Sequence, residues 1–393
     1  PHWREPSLKK EYDVIVIGGG GHGLATAFYL AKEYGITNVA VLEKGWIGSG
    51  NIGRNTTIIR SNYMMPGNQP FYEFSMKLWE GLEQDFNYNA MVSQRGILNL
   101  SHSDGQHDAY ARRGNAMHLT NSGAVLLDKS GVEKMCPFLD FDNARFPIKG
   151  GIWQQRGGSV RHDAVAWGYA RACSDMGMHI LQKTEVTGIT QQAGMVTGVD
   201  TPRGHIGCKK LGMVVAGHAS AVAEMAGFQL PIESVPLQAL VSEPIKPCMD
   251  VVVMANTVHG YMSQSDKGEM VIGGGTDAYN AYTQRGSFHH LEETVRALIE
   301  TFPMVSRLKM LRHWGGIVDV TGDRSPILSK TPLGNTFINC GWGTGGFKAI
   351  PGSGWGFAEL MAKGESPLTA EFGLDRFRAG RFIDESVAAG VAH

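Results

Sequence analysis

The segment from residue 12 to residue 43 constrains the fold of this chain more than any other part of its sequence. Residues 12–18 form a short, β-branched apolar run typical of a buried parallel strand, and residues 22–33 carry apolar side chains at helical spacing. Between them stands Gly18-Gly-Gly-Gly-His-Gly23, which contains the spacing G-x-G-x-x-G, and residues 38–43 predict a second strand. A strand, a glycine turn, a helix and a second strand in this order indicate a Rossmann-like α/β domain.

The same unit predicts where a dinucleotide binds. Gly18 permits the tight turn, Gly20 lets the backbone approach a pyrophosphate, and Gly23 lets the helix pack close to the strand. Unpaired N–H groups at the helix N-terminus favour the phosphates, and Glu43, at the end of the second strand, would hydrogen-bond a ribose diol. A lone motif of this kind also occurs in glycine-rich surface loops, but the flanking elements favour dinucleotide binding.

Glycines far along the chain bear on the choice between FAD and NAD. The sequence holds 52 glycines in 393 residues, close to twice the usual share of about 7%. Residues 210–218 and 335–341 each predict a buried strand ended by glycine, and the second leads into a glycine-rich stretch before a helix predicted at 355–362. An isoalloxazine ring needs close, flat backbone contact and a helix N-terminus near its N1–C2=O end, so these segments favour FAD. The candidate contacts are Gly217, Gly343, Gly345 and Gly346.

Composition excludes several other classes of protein. The length predicts two domains, because one core stops growing at roughly 250–300 residues. The 36 basic and 37 acidic residues give a net charge of -1, without the basic excess of a nucleic-acid binder. No apolar run approaches the roughly 20 residues of a membrane helix, and no secretory signal is visible, so we expect a cytoplasmic protein. Five cysteines without paired spacing argue against a disulfide framework and against a metal site.

The middle of the chain has a different pattern. Residues 233–275 alternate in the manner of an antiparallel sheet, residues 180–191 and 194–200 resemble a hairpin, and residues 167–176 predict a helix with Asp163 as its N-cap. We therefore expect an α/β plus α+β fold, in which a Rossmann-like FAD-binding domain is joined to a mostly antiparallel substrate domain. The predicted FAD-binding domain is discontinuous and comprises 1–90, 145–225 and 310–393. The predicted substrate domain comprises 91–144 and 226–309.

Six longer segments closely resemble the β-subunit family of heterotetrameric sarcosine oxidases, in the D-amino-acid-oxidase-like group of flavin amine oxidases. They are Glu43-Lys-Gly-Trp46, Arg54-Asn-Thr-Thr-Ile-Ile-Arg-Ser-Asn-Tyr63, Arg161-His-Asp-Ala-Val-Ala-Trp167, Leu237-Gln-Ala-Leu-Val-Ser-Glu243, Trp314-Gly-Gly-Ile-Val-Asp319 and Cys340-Gly-Trp-Gly-Thr-Gly-Gly-Phe-Lys348. The similarity runs from about residue 12 to residue 393.

The resemblance implies two flavins. The β subunit of this family holds a non-covalent FAD that oxidises the amine. His162 matches the histidine that carries a covalent FMN near the contact with the α subunit, and a neutral imidazole is a reasonable nucleophile toward an activated flavin. Electrons would pass from FAD to FMN and then to dioxygen. The α, γ and δ subunits complete the family's complex, with NAD and folate sites on α.

The resemblance also implies the substrate site. Arg60 and Lys348 match the cations that would bind the substrate carboxylate through charge-assisted contacts. Single-chain relatives attach FAD through a cysteine shortly before a segment like 322–324, and residues 314–323 contain no cysteine, which supports non-covalent FAD. We found no residue to nominate as general base.

The predicted reaction is oxidative demethylation of sarcosine to glycine and a one-carbon unit. Three alternatives stay open at this point. The first is a related dehydrogenase acting on N-methylglutamate or another N-methyl amino acid, and the second is a non-catalytic subunit that only transfers electrons through flavins. The third is an NAD-dependent Rossmann dehydrogenase.

Overall fold

The computed structural model describes residues 3 and 5–384 of the chain. Within them the strands, in chain order, are β1 (Glu11–Ile17), β2 (Val39–Leu42), β3 (Ile58–Ile59), β4 (Ile97–Ser101), β5 (Val125–Asp128), β6 (Gly150–Gln154), β7 (Gly158–Ser159), β8 (His179–Leu181), β9 (Gly188–Gln192), β10 (Met195–Thr201), β11 (Gly204–Met213), β12 (Ile232–Pro244), β13 (Val252–Ala255), β14 (Gly260–Gln264), β15 (Glu269–Thr276), β16 (Met310–Thr321), β17 (Ile327–Lys330) and β18 (Thr336–Cys340). The α-helices are α1 (Gly21–Tyr34), α2 (Asn68–Phe86), α3 (Asp104–Leu119), α4 (Lys129–Met135), α5 (His162–Asp175), α6 (Ala219–Met225), α7 (Phe288–Ile299), α8 (Gly346–Lys363) and α9 (Asp375–Ala379).

The first sheet has the strand order β17-β18-β11-β1-β2-β8, with β10 paired to β11 and β9 to β10. The strands from β18 to β8 are parallel, and β1 lies at their centre. Both faces of β1 are buried, because Val14 and Val16 pack into one hydrophobic cluster while Ile15 and Ile17 pack into another. Burial on both faces accounts for the continuous apolar run that the sequence shows here. The predicted Rossmann-like unit is confirmed.

The second sheet has the order β16-β12-β15-β14-β13-β4-β6-β5. All of its neighbouring strands are antiparallel except β13 and β4. The predicted mostly antiparallel sheet is therefore confirmed. Strands β6 and β16, which the predicted division gives to the FAD-binding domain, pair within this second sheet. The division into domains itself stays a prediction.

The glycine-rich stretch after β18 is helical, so the predicted loop before a helix at 355–362 is wrong. A 3-10 turn covers Gly343–Gly345, and α8 begins directly after it. A Cβ atom at Gly354 would lie 2.4 Å from the Cβ atom of Ala25 on α1, and one at Gly352 would lie 2.8 Å from the Cβ atom of Ser75 on α2. Close packing of α8 against two helices offsets the poor helix propensity of glycine.

The predicted N-cap of α5 is also wrong. The helix begins at His162, five residues before the predicted start at Trp167, and Arg161 occupies the N-cap position. Asp163 lies in the first turn, where its carboxylate accepts the N–H of Ala164 at 2.9 Å and pairs with Arg161 at 2.7 Å. An acidic residue in the first turn still favours the helix through its dipole.

The predicted hairpin is shorter than expected. Residues 180–191 divide into β8, which extends the parallel sheet beside β2, and β9, which pairs with β10. Only β9 and β10 form the hairpin. The turn residues between β8 and β9 separate two strands that belong to different parts of the sheet.

Three further features concern membranes, disulfides and metals. Among the described residues, no helix combines the length and apolar character needed to cross a bilayer. The five cysteines are all free thiols, four of them buried and Cys248 exposed. Within the same part of the chain, no group of three or more His, Cys, Asp or Glu side chains is arranged to hold a metal ion.

Candidate functional site

A cavity of about 560 Å³ has walls from both sheets. One wall comes from residues that follow the carboxyl ends of β1, β2 and β11, and the facing wall comes from β12, β14, β15 and β16. Ligands of open α/β sheets bind outside the carboxyl ends of the parallel strands, so the cavity lies where a dinucleotide is expected.

The glycine turn after β1 forms one end of the cavity. Gly18 has a φ of +108°, and a Cβ atom there would lie 2.1 Å from the carbonyl oxygen of Val214. A Cβ atom at Gly23 would lie 1.9 Å from the carbonyl oxygen of Gly18, so only glycine allows α1 to approach the turn this closely. Gly20 lines the cavity, and a Cβ atom there would meet no protein atom within 4 Å. The space in front of Gly20 is therefore free for a ligand group.

Glu43 stands beside this turn at the end of β2. One carboxylate oxygen, Oε2, accepts the backbone N–H of Gly19 at 2.9 Å, and Oε1 accepts the N–H of Gly45 at 2.7 Å. These contacts hold the carboxylate on the cavity wall. This is the placement required of an acidic residue that binds a ribose diol.

The first turn of α8 forms another part of the wall. Gly343 and Gly346 line the cavity, and so does Gly217 from the far side. Gly345 is buried but does not line the cavity, because its Cα faces Tyr72, whose hydroxyl would lie 2.5 Å from a Cβ atom. The structure therefore brings three of the four predicted glycines to the cavity and places Gly345 behind it.

His22 and Trp342 connect the two ends of the cavity, one at the glycine turn and one at the start of α8. Their rings stack with centroids 4.9 Å apart and an interplanar angle of 18°. His22 Nδ1 is hydrogen-bonded to the hydroxyl of Ser353, and the indole N–H of Trp342 donates to Asn339 Oδ1 at 2.6 Å. Burial lowers the pKa of His22 to about 3, so the imidazole is neutral at ordinary pH. This contact fixes the start of α1 against the start of α8.

Arg60 and Lys348 line the same cavity and are 7% and 6% exposed. The Arg60 guanidinium donates to Asn62 Oδ1 at 2.6 Å, and the Lys348 ammonium donates to the carbonyl oxygen of Thr344 at 3.0 Å. Neither cation forms a salt bridge within the described residues. Burial lowers the pKa of Lys348 well below its ordinary value, and the positive charge of Arg60 lowers it further. An anion placed between them would relieve both effects.

Several cavity residues escaped the sequence reasoning. Arg113 on α3 and Asn99 on β4 are each 2% exposed and line the cavity near Arg60. Asp319 on β16 also lines it, accepts the N–H of Gly341, and has a pKa raised by burial to about 6. No sequence signal identifies Arg113, because it stands in a polar helix among many charged residues. Asp319 lies in the segment 314–319, and the resemblance of that segment to the family was the available signal.

His162 does not line the cavity. It stands at the first position of α5, half-buried, and burial lowers its pKa. Strand β7 ends at Ser159, three residues earlier, and pairs with β3, whose Ile58 lines the cavity. His162 is thus outside the cavity but adjacent to one of its walls.

The residues present fit a flavin dinucleotide. The open space at Gly20, the free N–H groups at the start of α1 and the fixed Glu43 suit a pyrophosphate and a ribose. The glycine-rich start of α8 at the other end presents close backbone and a helix N-terminus to a flat ring. Two buried cations lie beside that end.

Comparison with known proteins agrees with this geometry. The family model described as FAD dependent oxidoreductase (DAO) matches residues 13–360. The chain is 66% identical to sarcosine oxidase subunit beta of Rhodobacter capsulatus over 391 residues, which covers 100% of this chain and 94% of the relative. It is 62% identical to the protein of the same name in Rhizobium meliloti, over 98% of this chain and 93% of that one.

Solved structures show the same fold at lower identity. The L-proline dehydrogenase of P. horikoshii superposes with a TM-score of 0.89 at 25% identity, covering 96% of this chain and 100% of that one. The glycine oxidase of Geobacillus kaustophilus superposes with a TM-score of 0.83 at 21% identity, covering 94% and 99%.

Proposed function

Because this chain belongs to the FAD-dependent oxidoreductases, and among them to the β subunits of sarcosine oxidase, we propose that it oxidises sarcosine to glycine and a one-carbon unit. The family makes it a flavin-dependent amine oxidase, an oxidoreductase acting on CH–NH groups of donors. Sarcosine is the substrate in the names of the relatives, and the cavity has the charges that a small amino acid carboxylate requires.

The observation that carries the proposal is the pair of buried cations at one end of the cavity. Arg60 presents a planar guanidinium that suits two-pronged contact with a carboxylate, and Lys348 adds a second charge. Burying two cations side by side is costly unless an anion offsets them. A substrate carboxylate supplies that anion, and its binding favours the charged form of Lys348.

The role of these residues in the reaction is to position the amine. Bound FAD supplies the two-electron acceptor that the chemistry needs. With the carboxylate held by Arg60 and Lys348, the unprotonated nitrogen and its methyl group are restricted to one orientation within the cavity. Loss of two electrons and two protons from the N-methyl group and nitrogen gives an imine, and water converts it to glycine and formaldehyde. The neutral His22 and its stacked Trp342 hold the start of α8, from which Lys348 projects.

FAD is held by Gly18, Gly20, Gly23 and Glu43 at the dinucleotide end and by Gly217, Gly343 and Gly346 at the ring end. Gly345 lies behind the ring end of the cavity, where it contacts Tyr72. The absence of cysteine from residues 314–323 supports non-covalent binding.

His162 would hold a second flavin, FMN, through a covalent bond. Its lowered pKa leaves the imidazole neutral and able to act as a nucleophile, and its half-buried place outside the cavity separates it from the FAD site. Trp167 and Trp46 are exposed aromatic side chains on the same chain, 38% and 62% accessible, which suits a protein that works as part of a complex. The partners would be α, γ and δ subunits, and dioxygen would accept the electrons from FMN.

The proposal is tested by turnover of the purified complex on sarcosine and on other N-methyl amino acids. With sarcosine as substrate, oxygen should be consumed and glycine and formaldehyde should be formed, all in equal amounts. Bleaching of FAD absorption by sarcosine without oxygen separates the amine reaction from the later electron transfers. A complex that leaves FAD oxidised in the presence of sarcosine would rule out the proposed reaction.

A further inference from the structure

Arg60 lies in a short buried segment that belongs to no strand or helix. Strand β3 ends at Ile59 and α2 begins at Asn68, and residues 60–63 are all buried without regular secondary structure. Such a segment lacks the hydrogen bonds of a sheet or a helix, so side chains must satisfy its polar groups. A long arginine side chain also loses much rotamer freedom when it is fixed in one position. The contacts around this segment therefore decide where the Arg60 guanidinium points.

Asn62 holds the Arg60 guanidinium at one edge. Asn62 Oδ1 accepts an N–H of Arg60 Nη1 at 2.6 Å, and Asn62 Nδ2 donates to Asn99 Oδ1 at 2.9 Å. The second contact fixes which way the amide faces, because its nitrogen has to point at the oxygen of Asn99. The first contact engages Nη1, whereas a two-pronged contact with a carboxylate can use Nε and Nη2 on another edge.

Tyr63 restricts the same guanidinium from its face. Arg60 Cζ lies 4.8 Å from the centroid of the Tyr63 ring, within the range of a cation–π contact. The Tyr63 ring is itself stacked on that of Tyr72, with centroids 3.7 Å apart and an interplanar angle of 7°. One neighbour of Arg60 thus acts at the edge of the guanidinium and the other at its face.

Ser61 anchors the backbone between Arg60 and Asn62. Gln154 Oε1 accepts the backbone N–H of Ser61 at 3.0 Å, and Gln154 Nε2 donates to its hydroxyl oxygen at 2.7 Å. The hydroxyl in turn donates to Glu73 Oε2 at 2.8 Å. Both the backbone N–H and the side chain of Ser61 are therefore held, which fixes the point from which Asn62 reaches Arg60.

The two amides that hold this segment come from neighbouring strands of the second sheet. Gln154 on β6 lies opposite Ile97 on β4, and Asn99 follows two residues after Ile97. Side chains two residues apart on a strand project from the same face, so Gln154 and Asn99 share one face of the sheet. A sheet positions a side chain more precisely than an irregular segment does. Asn62 therefore connects Arg60 to a rigid element of the fold.

We propose that Asn62 is a positioning residue for the substrate carboxylate, which turns the Arg60 guanidinium so that another of its edges faces the ligand. Asn62 does not line the cavity, whereas Arg60 and Asn99 do, so Asn62 acts through Arg60 and not by touching the ligand. Charge-assisted hydrogen bonds weaken when the donor is turned away, so a loose guanidinium binds a carboxylate less tightly. The inference rests on the proposed function, because it takes Arg60 as part of the carboxylate site.

A double-mutant cycle on acetate binding tests this role. Acetate binding to the FAD-loaded complex is measured by the perturbation of flavin absorption in the wild type, Asn62→Ala, Arg60→Ala and the double variant. Asn62→Ala should weaken acetate binding about fivefold or more when Arg60 is present, and by less than about twofold when Arg60 is absent. Asn115→Ala, a change at an exposed asparagine on α3, is the matched control and should leave acetate binding unchanged.

Asn99→Ala is the second variant, for the case in which Asn62→Ala fails to fold. Asn99 lines the cavity, so its truncation widens the cavity and leaves no closed void. The Asn62 amide then loses the contact that orients it, and acetate binding should weaken about two- to fivefold, again only when Arg60 is present. FAD content and Tm are measured for every variant and should stay close to the wild-type values.

The outcomes separate this inference from the proposed function. Equal weakening of acetate binding by Asn62→Ala with and without Arg60 overturns the positioning role and makes Asn62 a general support of the site. Unchanged acetate binding in a folded Asn62→Ala complex, with binding weakened in Arg60→Ala, also overturns it. Where Asn62→Ala fails to fold, the same two results for Asn99→Ala decide in the same way. An Arg60→Ala complex that binds acetate as tightly as the wild type overturns the carboxylate site of the proposed function, and this inference with it.

Discussion

The backbone N–H of Val160 donates a hydrogen bond to the carbonyl oxygen of Thr57, with an N···O distance of 3.0 Å. Thr57 lines the cavity and has a φ of +67°, a left-handed conformation that costs a β-branched residue roughly 1–3 kcal/mol. Asn55 Oδ1 accepts the N–H of Thr57 at 2.6 Å and helps to hold this conformation. Two residues beyond Val160 stands His162, so this hydrogen bond joins the cavity proposed for FAD to the segment proposed for FMN.

Replacement of His162 tests that second flavin. After acid precipitation of the intact complex, one flavin should stay on this chain and the other should be released. His162→Asn should lose the retained flavin while sarcosine still reduces FAD under anaerobic conditions, because His162 lies outside the FAD cavity. His118→Asn, a change at an exposed histidine on α3, should behave as wild type. A flavin-labelled peptide that lacks His162 would contradict the assignment.

Replacement of Gly20 tests the FAD site. Gly20→Val should fold, since a Cβ atom there meets no protein atom within 4 Å, but the side chain would occupy the space assigned to the pyrophosphate. Flavin content after purification should fall at least fivefold. Gly81→Val, on α2 with equally open surroundings, should retain full flavin. Normal FAD content in the Gly20 variant would show that the pyrophosphate lies elsewhere.

Replacement of Arg60 tests the substrate carboxylate site. Arg60→Ala should raise the KM for sarcosine more than tenfold, in line with the roughly 1.5–3 kcal/mol of a charge-assisted hydrogen bond. Arg95→Ala removes an exposed arginine that pairs with Asp266 at 2.7 Å and should leave the KM unchanged. Steady-state kinetics over a range of sarcosine concentrations gives both values. An Arg60→Ala enzyme with the wild-type KM would exclude this contact.

The pH dependence of carboxylate binding tests Lys348. Its pKa lies well below the ordinary value because it is buried beside Arg60. A lowered pKa means that the ammonium loses its proton, and its attraction for an anion, as the pH rises through that lower value. Acetate binding to the FAD-loaded complex should therefore weaken with rising pH below 10.5, and Lys348→Arg should not show this fall. Acetate is the suitable probe because it has no amine that titrates. Identical pH profiles for the two proteins would exclude the role of Lys348.

Replacement of Gly354 tests the packing of α8. Gly354→Ala should destabilise the protein by about 1–3 kcal/mol, because the added methyl group would lie 2.4 Å from the Cβ atom of Ala25. Gly105→Ala, on α3 with nothing within 4 Å, should be neutral or slightly stabilising. Denaturant unfolding followed by fluorescence measures both changes. Equal stability of the two variants would mean that α1 and α8 can move apart without cost.

The parts of the fold that the sequence predicted are those determined by neighbouring residues. The turn from Gly18 to Gly23 is such a case, since the positive φ of Gly18 and the contact of Gly23 with the carbonyl oxygen of Gly18 both arise within one strand–turn–helix unit. The start of α8 was not predicted, because glycine has a low intrinsic helix propensity and the compensating contacts come from α1 and α2, hundreds of residues earlier. Long-range packing of this kind leaves no local pattern.

The candidate site also contains residues that the sequence predicted and residues that it did not. Arg60 and Lys348 were identified through the resemblance of their segments to a known family, and the structure brings both to one cavity. Arg113 was missed because its helix carries charged residues on several faces, and only the tertiary fold decides which of them points inward. The helix boundary at His162 was missed for a related reason, because an acidic residue near a helix start is equally suited to the N-cap and to the first turn.

The strand order of the parallel sheet also has a consequence for synthesis of the protein. Strand β11 lies between β1 and β18, and β10 pairs only with its first residues, so the edge at Leu211–Met213 stays open until residues 336–340 have been made. The cavity also lacks a wall until Lys348 follows. A nascent chain that has passed β11 but not β18 exposes part of one edge of a parallel strand, a hazard for aggregation during translation. We therefore expect nearly the whole chain to be synthesised before flavin binds. A product truncated before α8 should lack the cofactor.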